Sequence, residues 1–577
     1  MINKPYDPEQ MRDFKQLVSR YDTLYSDKVA FKYRKNPKDQ KIIEVTYHDF
    51  KKDIDSLGTK LIDMGFQGKR IAIIAPNRYE WCVSYLAIET AGIIVVPLDK
   101  ALPENEIESL IIRSKVDAVI FADKYLGIFK KIKEEKTSNL KEYICMDFPT
   151  TQDDILSYRE LIEQGKVLLE KGDIRLSQVE IDPNAMSIML FTSGTTSIAK
   201  AVMLSQGNIC ANIYAIGCVC KVVKEDTFLS FLPLHHTFES TCTFLYGSFC
   251  GITIAFCDGL RYVVSNLKDY EVTGIVSVPL MLEAMYKKIK KGIEEQGKTK
   301  LVAVMSKVCN FLLKFGIDIR RKVFKQILDQ LGGHLRVIIC GAAPLEKATI
   351  EGLSNLGINL LQGYGLTETS PVLAAENDKF KRPGSCAFSM PNVEIKIDQP
   401  NENGVGEIIA KGPSVMLGYY ENEETTKEVL KDGWFHTGDL GYLDQDGCLF
   451  ITGRKKDVIV LKNGKNIYPQ ELEILISKLP YVAENIVFGK PDKNGDLSLC
   501  AKIVYNDELM EQTFGTVSKE EYHDLIWTEI KNINHTMPAY KAIHEIVVTD
   551  EPLIKTTTQK VKRFEEIAKT LKQLEEK

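Results

Sequence analysis

The sequence lacks the features that mark secreted, membrane-spanning and nucleic-acid-binding proteins. No apolar run approaches the ~18 residues that a membrane span needs, and the first residues lack the apolar stretch of a secretory signal. Positive charge is not in excess, because the net charge is −5, and this argues against a nucleic-acid partner. The thirteen cysteines include no CxxC pair, so free thiols in a reducing compartment are predicted. We therefore expect a cytoplasmic protein without a transmembrane segment, and peripheral contact with a membrane stays open.

The 577 residues are too many for one ordinary core, and 44% are hydrophobic, as in globular proteins. Short β-branched runs alternate with stretches of helical period through the first 450 residues. This alternation predicts mostly parallel strands with helices on both faces of the sheet. The predicted strands are residues 70–75, 93–97, 117–121 and 335–340, and residues 79–91 are expected to form a crossover helix.

The rest of the chain divides into three further textures. Residues 283–332 predict long charged amphipathic helices that end at Gly332-Gly333, whose basic faces are interpreted as solvated surface. Residues 386–455 have short strands separated by Asn-Gly and Asp-Gly turns, which predict a small β unit. Beyond Gly453, strands at 458–461 and 499–504 and helices at 470–478 and 520–532 are predicted. The predicted fold class is α/β, with a multi-subdomain N-terminal domain (1–455, of which 386–455 are β-rich) and a C-terminal α+β lid domain (456–577).

The strongest local signal is the loop from Thr192 to Lys200. The apolar run 187–191 opens into hydroxyl-bearing and glycine residues, and a lysine follows. Such a loop offers backbone N–H groups and hydroxyls to anionic oxygens, with one cation to balance charge. It is not a Walker A loop, because Ala199 precedes Lys200. Taken alone, the same residues also fit a plain turn after a strand.

The loop resembles the phosphate loop of the adenylate-forming superfamily, which includes acyl-CoA synthetases, adenylation domains of peptide synthetases and firefly luciferase. Further motifs of that family follow in its order, and the resemblance extends from about residue 45 to 565. These motifs are Gly341-Ala-Ala-Pro-Leu345, Gly363-Tyr-Gly-Leu-Thr-Glu-Thr-Ser370, Gly433-Trp-Phe-His-Thr-Gly-Asp439, Gly453-Arg-Lys-Lys-Asp457 and Lys555-Thr-Thr-Thr-Gln-Lys-Val-Lys-Arg563.

The resemblance implies an ATP site and a Mg²⁺ site. Mg²⁺ would be held by Thr192 and Glu368, since a carboxylate beside a triphosphate needs a cation between them. Asp439 would accept the ribose hydroxyls, with Arg454 on the ribose and phosphate side. The remaining implied nucleotide contacts are Ser193, Gly194, Thr195, Thr196 and Lys200 for phosphate, Gly341, Ala342, Ala343, Gly363, Tyr364 and Gly365 around adenine, and Thr367 for the α-phosphate.

The same resemblance implies two conformations of the C-terminal domain. Lys560 would neutralise charge while the carboxylate attacks the α-phosphorus, although a lysine in so basic a run is otherwise a surface residue. Lys456 falls at the family's hinge. Gly464 would line the tunnel for the coenzyme A thiol, although Asn-Gly is also simply a tight turn.

Some positions depart from the family pattern. Ser197, Ala199 and Ala201 stand where the family commonly has Gly, Pro and Gly, so we expect phosphate binding to survive in a loop of different pose. The last motif has Ile554 for proline and Gln559 for glycine.

The acyl side is predicted from Leu232-Pro-Leu-His-His-Thr-Phe-Glu239, which resembles the family's substrate motif. His236 would sit where acyl and nucleotide pockets meet, or else is a hydrogen-bonded core residue. The helices of 283–332 are typical of the long-chain branch. We therefore predict a long- or medium-chain fatty-acid–CoA ligase using ATP, Mg²⁺ and coenzyme A. An acyl-carrier protein as acceptor, and a non-catalytic sensor on the same scaffold, are the alternatives.

Overall fold

A computed structural model describes residues 3–192, 199–462, 465–491, 497–515, 517–555 and 561–575. The predicted mixed α/β fold, with a large N-terminal and a smaller C-terminal part, is confirmed. Within the described ranges, no helix combines the length and apolar character that crossing a membrane requires. All thirteen cysteines, each in a described range, are free thiols, as predicted.

Residues 3–390 contain most of the helices and form two large sheets, one of which β19 of the following part extends. The strands are β1 (Val29–Tyr33), β2 (Ile43–Thr46), β3 (Arg70–Ile74), β4 (Ile94–Pro97), β5 (Ala118–Phe121), β6 (Glu142–Cys145), β7 (Leu156–Ser157), β8 (Met186–Thr192), β9 (Lys200–Ser205), β10 (Thr227–Ser230), β11 (Thr253–Phe256), β12 (Gly274–Ser277), β13 (Val337–Cys340), β14 (Asn359–Gly365), β15 (Val372–Ala375) and β16 (Phe388–Ser389).

The helices of this part surround and separate the sheets. They are α1 (Phe14–Leu24), α2 (Tyr47–Asp63), α3 (Tyr79–Thr90), α4 (Glu104–Ser114), α5 (Leu126–Glu135), α6 (Tyr158–Glu170), α7 (Arg175–Gln178), α8 (Gln206–Val219), α9 (Thr237–Glu239), α10 (Tyr246–Phe249), α11 (Val263–Asp269), α12 (Pro279–Glu295), α13 (Thr299–Leu313), α14 (Arg320–Val323), α15 (Lys325–Asp329) and α16 (Lys347–Asn355). A π-helical stretch, Ser240–Leu245, joins α9 to α10.

Residues 391–455 form the β-rich part, and the C-terminal part follows. The former contains β17 (Glu394–Asp398), β18 (Gly406–Lys411), β19 (Gly418–Tyr419), α17 (Glu423–Val429), β20 (Leu430–Lys431), β21 (Trp434–Leu443) and β22 (Leu449–Arg454). The latter contains β23 (Ile459–Val460), β24 (Asn466–Ile467), α18 (Pro469–Ile476), β25 (Val482–Pro491), β26 (Leu497–Tyr505), α19 (Asp507–Phe514), α20 (Lys519–His535), β27 (Glu545–Thr549) and α21 (Arg563–Glu575).

The two large sheets are mostly parallel, as predicted. One has the order β19-β9-β8-β4-β3-β5-β6-β7, and the other has the order β16-β15-β14-β13-β12-β10-β11-β1-β2. The predicted strands appear as β3, β4, β5 and β13, and the predicted crossover helix appears as α3. Burial explains their composition, because strands covered on both faces read as continuous apolar runs.

One apolar core spans both sheets. Helix α3 has buried residues on all sides, and so does α8, as expected of helices enclosed by other layers. A capping box fixes the start of α8, since the side chain of Ser205 accepts from the Asn208 N–H and Asn208 accepts in return. The strand β9 is therefore joined rigidly to a buried helix.

The helical segment 283–332 differs in detail from its prediction. Helix α12 ends at Glu295. Towards the end of the predicted helical segment, residues 320–329 form two short helices, α14 and α15, separated at the buried Phe324. The predicted end at Gly332-Gly333 is confirmed, because the Gly333 N–H donates to the Leu328 carbonyl and both glycines have positive φ.

Candidate functional site

Two side chains from separate elements meet at the buried carboxylate of Asp439. Tyr364, near the end of β14, donates its hydroxyl to Asp439 Oδ2 at 2.8 Å. Arg454 Nε lies 3.1 Å from Asp439 Oδ1, and the two residues are cross-strand partners on β22 and β21. Burying a carboxylate that has no partner costs about several kcal/mol, so a buried carboxylate is normally paired with a cation and hydrogen-bonded. Both oxygens of Asp439 therefore have protein partners.

The electrostatics of this cluster follow from its burial. Burial raises the pKa of the Tyr364 hydroxyl well above its ordinary value, and the neighbouring Asp439 carboxylate raises it further. The same carboxylate raises the pKa of the Arg454 guanidinium. At neutral pH the cluster thus consists of a neutral phenol, a carboxylate and a guanidinium that is 44% exposed. An exposed guanidinium beside a carboxylate suits a ligand with both hydroxyls and phosphates.

The predicted phosphate loop connects the two strands of an antiparallel hairpin. Thr192 and Lys200 are cross-strand partners that close β8 and β9, so they belong to strands rather than to the loop itself. Ala201 is also a strand residue, and its carbonyl accepts from the Tyr420 N–H at 2.8 Å. The other predicted phosphate contacts, Ser193, Gly194, Thr195 and Thr196, lie outside the described residues, and so does Ser197, which departs from the family pattern.

Glu368 is connected to this hairpin through Tyr419. The Tyr419 hydroxyl donates to Glu368 Oε1 at 2.9 Å. The Lys200 ammonium lies 4.8 Å from the centre of the Tyr419 ring. Tyr419 is held in place because β19 pairs with β9. Tyr419 thus contacts Glu368 through its hydroxyl and Lys200 of the β8–β9 hairpin through its ring.

The segment after β13 has a conformation that small residues favour. Ala342 has φ of +74°, a region in which a side chain is strained. A Cβ on Gly341 would come within 2.9 Å of the Phe238 ring. Ala343 follows Ala342 and is exposed. Gly341 is therefore already approached closely by a residue of the predicted acyl motif.

The two glycines around Tyr364 have different structural reasons. A Cβ on Gly365 would lie 1.7 Å from the Pro371 carbonyl oxygen, so only glycine fits there. A Cβ on Gly363 would make only ordinary contacts, at 3.7 Å or more. Next to them, Thr367 and Glu368 occupy a short 3₁₀ turn, Thr367–Thr369. Gly365 is therefore required by the close approach of the protein's own backbone at Pro371.

His236 begins the short helix α9 beside these elements. Its Nδ1 accepts from the Phe238 N–H at 3.2 Å, so the proton of the neutral imidazole is on Nε2. Its neighbour His235 lies 3.6 Å from Asp99, and burial lowers the pKa of His235 to about 4. His235 is therefore neutral at pH 7. Phe238 carries the contact between this motif and Gly341.

The two residues next to Lys456 form ion pairs with different parts of the chain, one before and one after the predicted domain boundary. Lys455 Nζ lies 2.8 Å from Glu407 on β18, in the β-rich part. Asp457 Oδ2 lies 3.4 Å from Arg563 Nε at the start of α21, in the C-terminal part. Lys456 itself is exposed on the short turn between them.

Two predicted residues of the C-terminal part, Lys560 and Gly464, lie outside the described residues, as does Gln559. The neighbours of Lys560 are anchored within that part: Lys555 and Val561 form an antiparallel bridge, and Lys555 pairs with Glu484 at 2.7 Å.

One group of side chains has the chemistry of a metal site. Asp398, Glu407 and His436 each offer a ligand atom, and these atoms lie within 4.8 Å of one another. Glu407 is already paired with Lys455, and His436 Nδ1 lies 3.2 Å from it. The lysine supplies the charge that a cation would bring, so this group is explained as a structural ion-pair network.

Two residues at the site were missed by sequence reasoning. Tyr419 contacts both Glu368 and Lys200, as described above. Arg113 on α4 donates to the Ala199 carbonyl at 2.6 Å, and its guanidinium lies 5.5 Å from the Phe191 ring. Both secure the ends of the predicted phosphate loop. No pattern in the neighbouring sequence indicates either contact.

Comparison with known families agrees with this geometry. The family model for AMP-binding enzymes matches residues 20–420, and that for the C-terminal domain of AMP-binding enzymes matches residues 456–576. The chain therefore belongs to the family of AMP-binding enzymes.

Individual relatives cover almost the whole chain. The long-chain-fatty-acid–[acyl-carrier-protein] ligase AEE15, chloroplastic, of Arabidopsis thaliana is 27% identical over 628 residues, covering 96% of this chain and 85% of its own. The long-chain-fatty-acid–CoA ligase 5 of Rattus norvegicus is 29% identical over 572 residues, covering 90% and 82%. Among solved structures, ATP-bound MatB from Rhodopseudomonas palustris superposes with a TM-score of 0.76 at 21% identity, covering 98% of this chain and 99% of MatB. That likeness is one of fold.

Proposed function

We propose that the chain is an AMP-forming fatty-acid–CoA ligase. The carboxylate of a fatty acid attacks the α-phosphorus of ATP, so pyrophosphate leaves and an acyl adenylate forms. The sulfur of coenzyme A then attacks the acyl carbonyl carbon, and AMP leaves. The observation that carries this proposal is the Tyr364–Asp439–Arg454 cluster, found in an AMP-binding enzyme with fatty-acid ligases among its relatives.

In the adenylation step, the cluster around Asp439 would hold the nucleoside. The Asp439 carboxylate has lone pairs beyond those used by Tyr364 and Arg454, so it can also accept from ribose hydroxyls. The exposed part of the Arg454 guanidinium would face the phosphates. Tyr364 is 8% exposed, so its contribution to adenine would come from the ring edge or from a shift of its neighbours.

A Mg²⁺ ion is supported by the surroundings of Glu368. The Tyr419 hydroxyl donates to Glu368 Oε1, and among the residues that the structure describes none donates a hydrogen bond to the other carboxylate oxygen. Thr192 is the last residue of β8. Its cross-strand partner, Lys200, lies over the ring of the same tyrosine. The residues present therefore fit the group: Glu368 and Thr192 would hold the ion, which would neutralise phosphate charge. Lys200 would add one further positive charge.

The second step is proposed to use another orientation of the C-terminal part. Lys560 would serve adenylation, and Gly464 would line the path of the thiol. The domain boundary at Lys456, the cytoplasmic location and the individual roles of these residues remain proposals. Lys455 and Asp457 support the boundary, because their ion pairs join opposite sides of it.

The acid is proposed to be a long- or medium-chain fatty acid. His236 would lie at the junction of the acyl and nucleotide sites, since the next residues reach Gly341 through Phe238. The apolar core below α12–α16 is consistent with an oily environment on that side.

The test is a panel of acids from acetate to oleate, assayed for AMP release with and without coenzyme A. We expect release that requires a fatty acid, and that rises when coenzyme A is present. Absence of fatty-acid-dependent pyrophosphate exchange would contradict the enzyme proposal and favour the non-catalytic sensor.

A second acceptor is favoured by one observation. The relative AEE15, which spans 96% of this chain, is named as an acyl-carrier-protein ligase. If thioester forms only when holo acyl-carrier protein is supplied, and not with coenzyme A alone, the acceptor in our proposal is wrong and this alternative is correct.

A further inference from the structure

Helix α13 carries an apolar stripe that faces away from the protein. Leu301, Val304, Val308, Phe311 and Phe315 recur at intervals of three and four residues, with Phe315 just beyond the helix end. They are 58%, 57%, 43%, 60% and 67% exposed. The Phe311 and Phe315 rings contact each other with centroids 5.2 Å apart. Contiguous exposed apolar surface of this kind marks an interaction site.

The stripe is not the side by which α13 packs onto the protein. Cys309 is fully buried, and Val302 and Met305 pack against the core formed with α12, α15 and α16. The helix end is fixed by Gly316, where Ile317 N–H donates to Leu312 and Gly316 N–H donates to Leu313. The helix is therefore apolar on two sides, and its core packing requires only one of them.

Positive charge accompanies the stripe, although the whole chain is acidic. Residues 287–317 contain eight lysines and two glutamates, against a net charge of −5 for the chain. Lys300, Lys307 and Lys314 are seven residues apart, so they lie along one flank of the stripe, and all are exposed. Within the described residues, no carboxylate forms an ion pair with any of the three.

We propose that α13 lies in the plane of an anionic lipid bilayer. The five stripe residues would enter the boundary between headgroups and acyl chains, and the lysine row would contact lipid phosphates. An apolar face flanked by lysines, on a helix about 22 Å long, is the pattern of an interfacial helix. Each lysine near an anionic surface adds attraction that salt weakens.

The location of α13 gives this contact a use, which rests on the proposed function. Helix α12 starts two residues after the end of β12, where the Ser277 carbonyl accepts from the Gly341 N–H at 3.3 Å. The segment α12–α13 thus runs from the edge of the candidate site to the exposed stripe. Fatty acids partition into bilayers, so a docked enzyme meets its acid there.

The test measures flotation with vesicles, without ATP or fatty acid, so that its result does not depend on the enzymatic proposal. The wild type is expected to float with vesicles of phosphatidylglycerol and phosphatidylcholine in equal parts. The double variant Phe311→Ser/Phe315→Ser is expected to bind roughly tenfold more weakly. Ile174→Ser is the control, because Ile174 is 59% exposed on another part of the chain. No flotation of the wild type, or equal flotation of wild type and double variant, would overturn the proposal.

A second variant keeps the proposal testable if the first folds poorly. Lys300→Gln/Lys307→Gln/Lys314→Gln should lose the preference for anionic over pure phosphatidylcholine vesicles, together with its salt dependence. An unchanged preference would contradict the assigned orientation of the helix. Sedimentation without vesicles, and binding to purified acyl-carrier protein, test the other occupants. If the phenylalanine variant abolishes a dimer or the carrier-protein complex while vesicles fail to bind, α13 is a protein interface instead.

Discussion

Asp457 Oδ2 lies 3.4 Å from Arg563 Nε, and this pair joins the turn that contains Lys456 to the helix that follows Lys560. Arg563 also pairs with Glu473 at 2.7 Å and donates to the Val487 carbonyl. Burial raises the pKa of Glu473, and the guanidinium opposes that rise. Arg563 therefore joins three segments of the C-terminal part, namely the turn at Asp457, helix α18 and strand β25.

Arg563→Met should destabilise the C-terminal part by about 3 kcal/mol, because it leaves the buried Glu473 carboxylate without its partner. Chemical denaturation monitored by circular dichroism measures this. Adding Glu473→Gln should restore part of the loss, since no unpaired charge then remains. Lys569→Met on the same helix is the control: its pair with Glu551 is largely exposed, and unfolding should not change. Equal effects of Arg563→Met and Lys569→Met would contradict this account.

Tyr419→Phe should raise the KM for MgATP about tenfold, the order expected when a hydrogen bond to a charged group is lost. The phenyl ring remains, so the contact with Lys200 is kept and the hydroxyl alone is tested. A matched control is Tyr420→Phe. The Tyr420 hydroxyl accepts a hydrogen bond from Arg70, and the Arg70 guanidinium also lies over the Tyr420 ring. Kinetics over a range of Mg²⁺ concentrations distinguish the two. Glu368→Gln should alter the metal dependence more strongly, and an unchanged titration would remove Glu368 from the metal site.

Lys560→Ala should abolish adenylation while thioester formation from supplied acyl adenylate continues. The reason is that the lysine is proposed to neutralise charge only while pyrophosphate leaves. Pyrophosphate exchange measures the first step, and release of AMP from acyl adenylate and coenzyme A measures the second. Lys562→Ala is the control, because Lys562 pairs with Glu565 near the surface. Loss of both steps together would contradict the two-conformation proposal.

Features that depend on neighbouring residues could be predicted from the sequence, whereas contacts between residues far apart in the chain could not. Strands β3, β4, β5 and β13 were found because burial on both faces leaves an apolar run. The polar helix α17 was missed, since its seven residues lack an apolar face. Tyr419 escaped because its contact with Glu368 spans 51 residues and requires β19 to pair with β9. Arg113 escaped because its bond to Ala199 spans 86 residues.

The chemical types at the candidate site were more accessible to prediction than their arrangement. The resemblance implied that Gly363 and Gly365 lie around adenine, and the structure adds that a Cβ on Gly365 would meet the Pro371 carbonyl of the same chain. Asp439 was expected to face a ribose, and the structure gives each of its oxygens a protein partner as well. Such partners come from other strands, and local sequence patterns contain no information about them.

Glu239 should make the protein less stable as pH rises. Its side chain is fully buried at the end of α9, beside the π-helical stretch, where Thr243 donates to one oxygen at 3.0 Å. Burial raises its pKa to about 8 from an ordinary value of 4.5, although hydrogen bonds with Ser230 and Thr243 and the charge of Lys100 oppose the rise. The folded protein then binds a proton that the unfolded chain has released between these two values. Its contribution to stability is complete below pH 4.5 and is lost as pH rises through about 8.

Glu239→Gln removes this proton while keeping the shape of the side chain. The free energy of unfolding of the variant, relative to the wild type, should therefore rise between pH 5 and pH 9 by about 2–4 kcal/mol. Urea denaturation at each pH measures it, and Glu424→Gln on the exposed side of α17 should run parallel to the wild type. If the Glu239→Gln curve is also parallel, the carboxyl is ionised in the folded protein, and its hydrogen bonds together with Lys100 outweigh its burial.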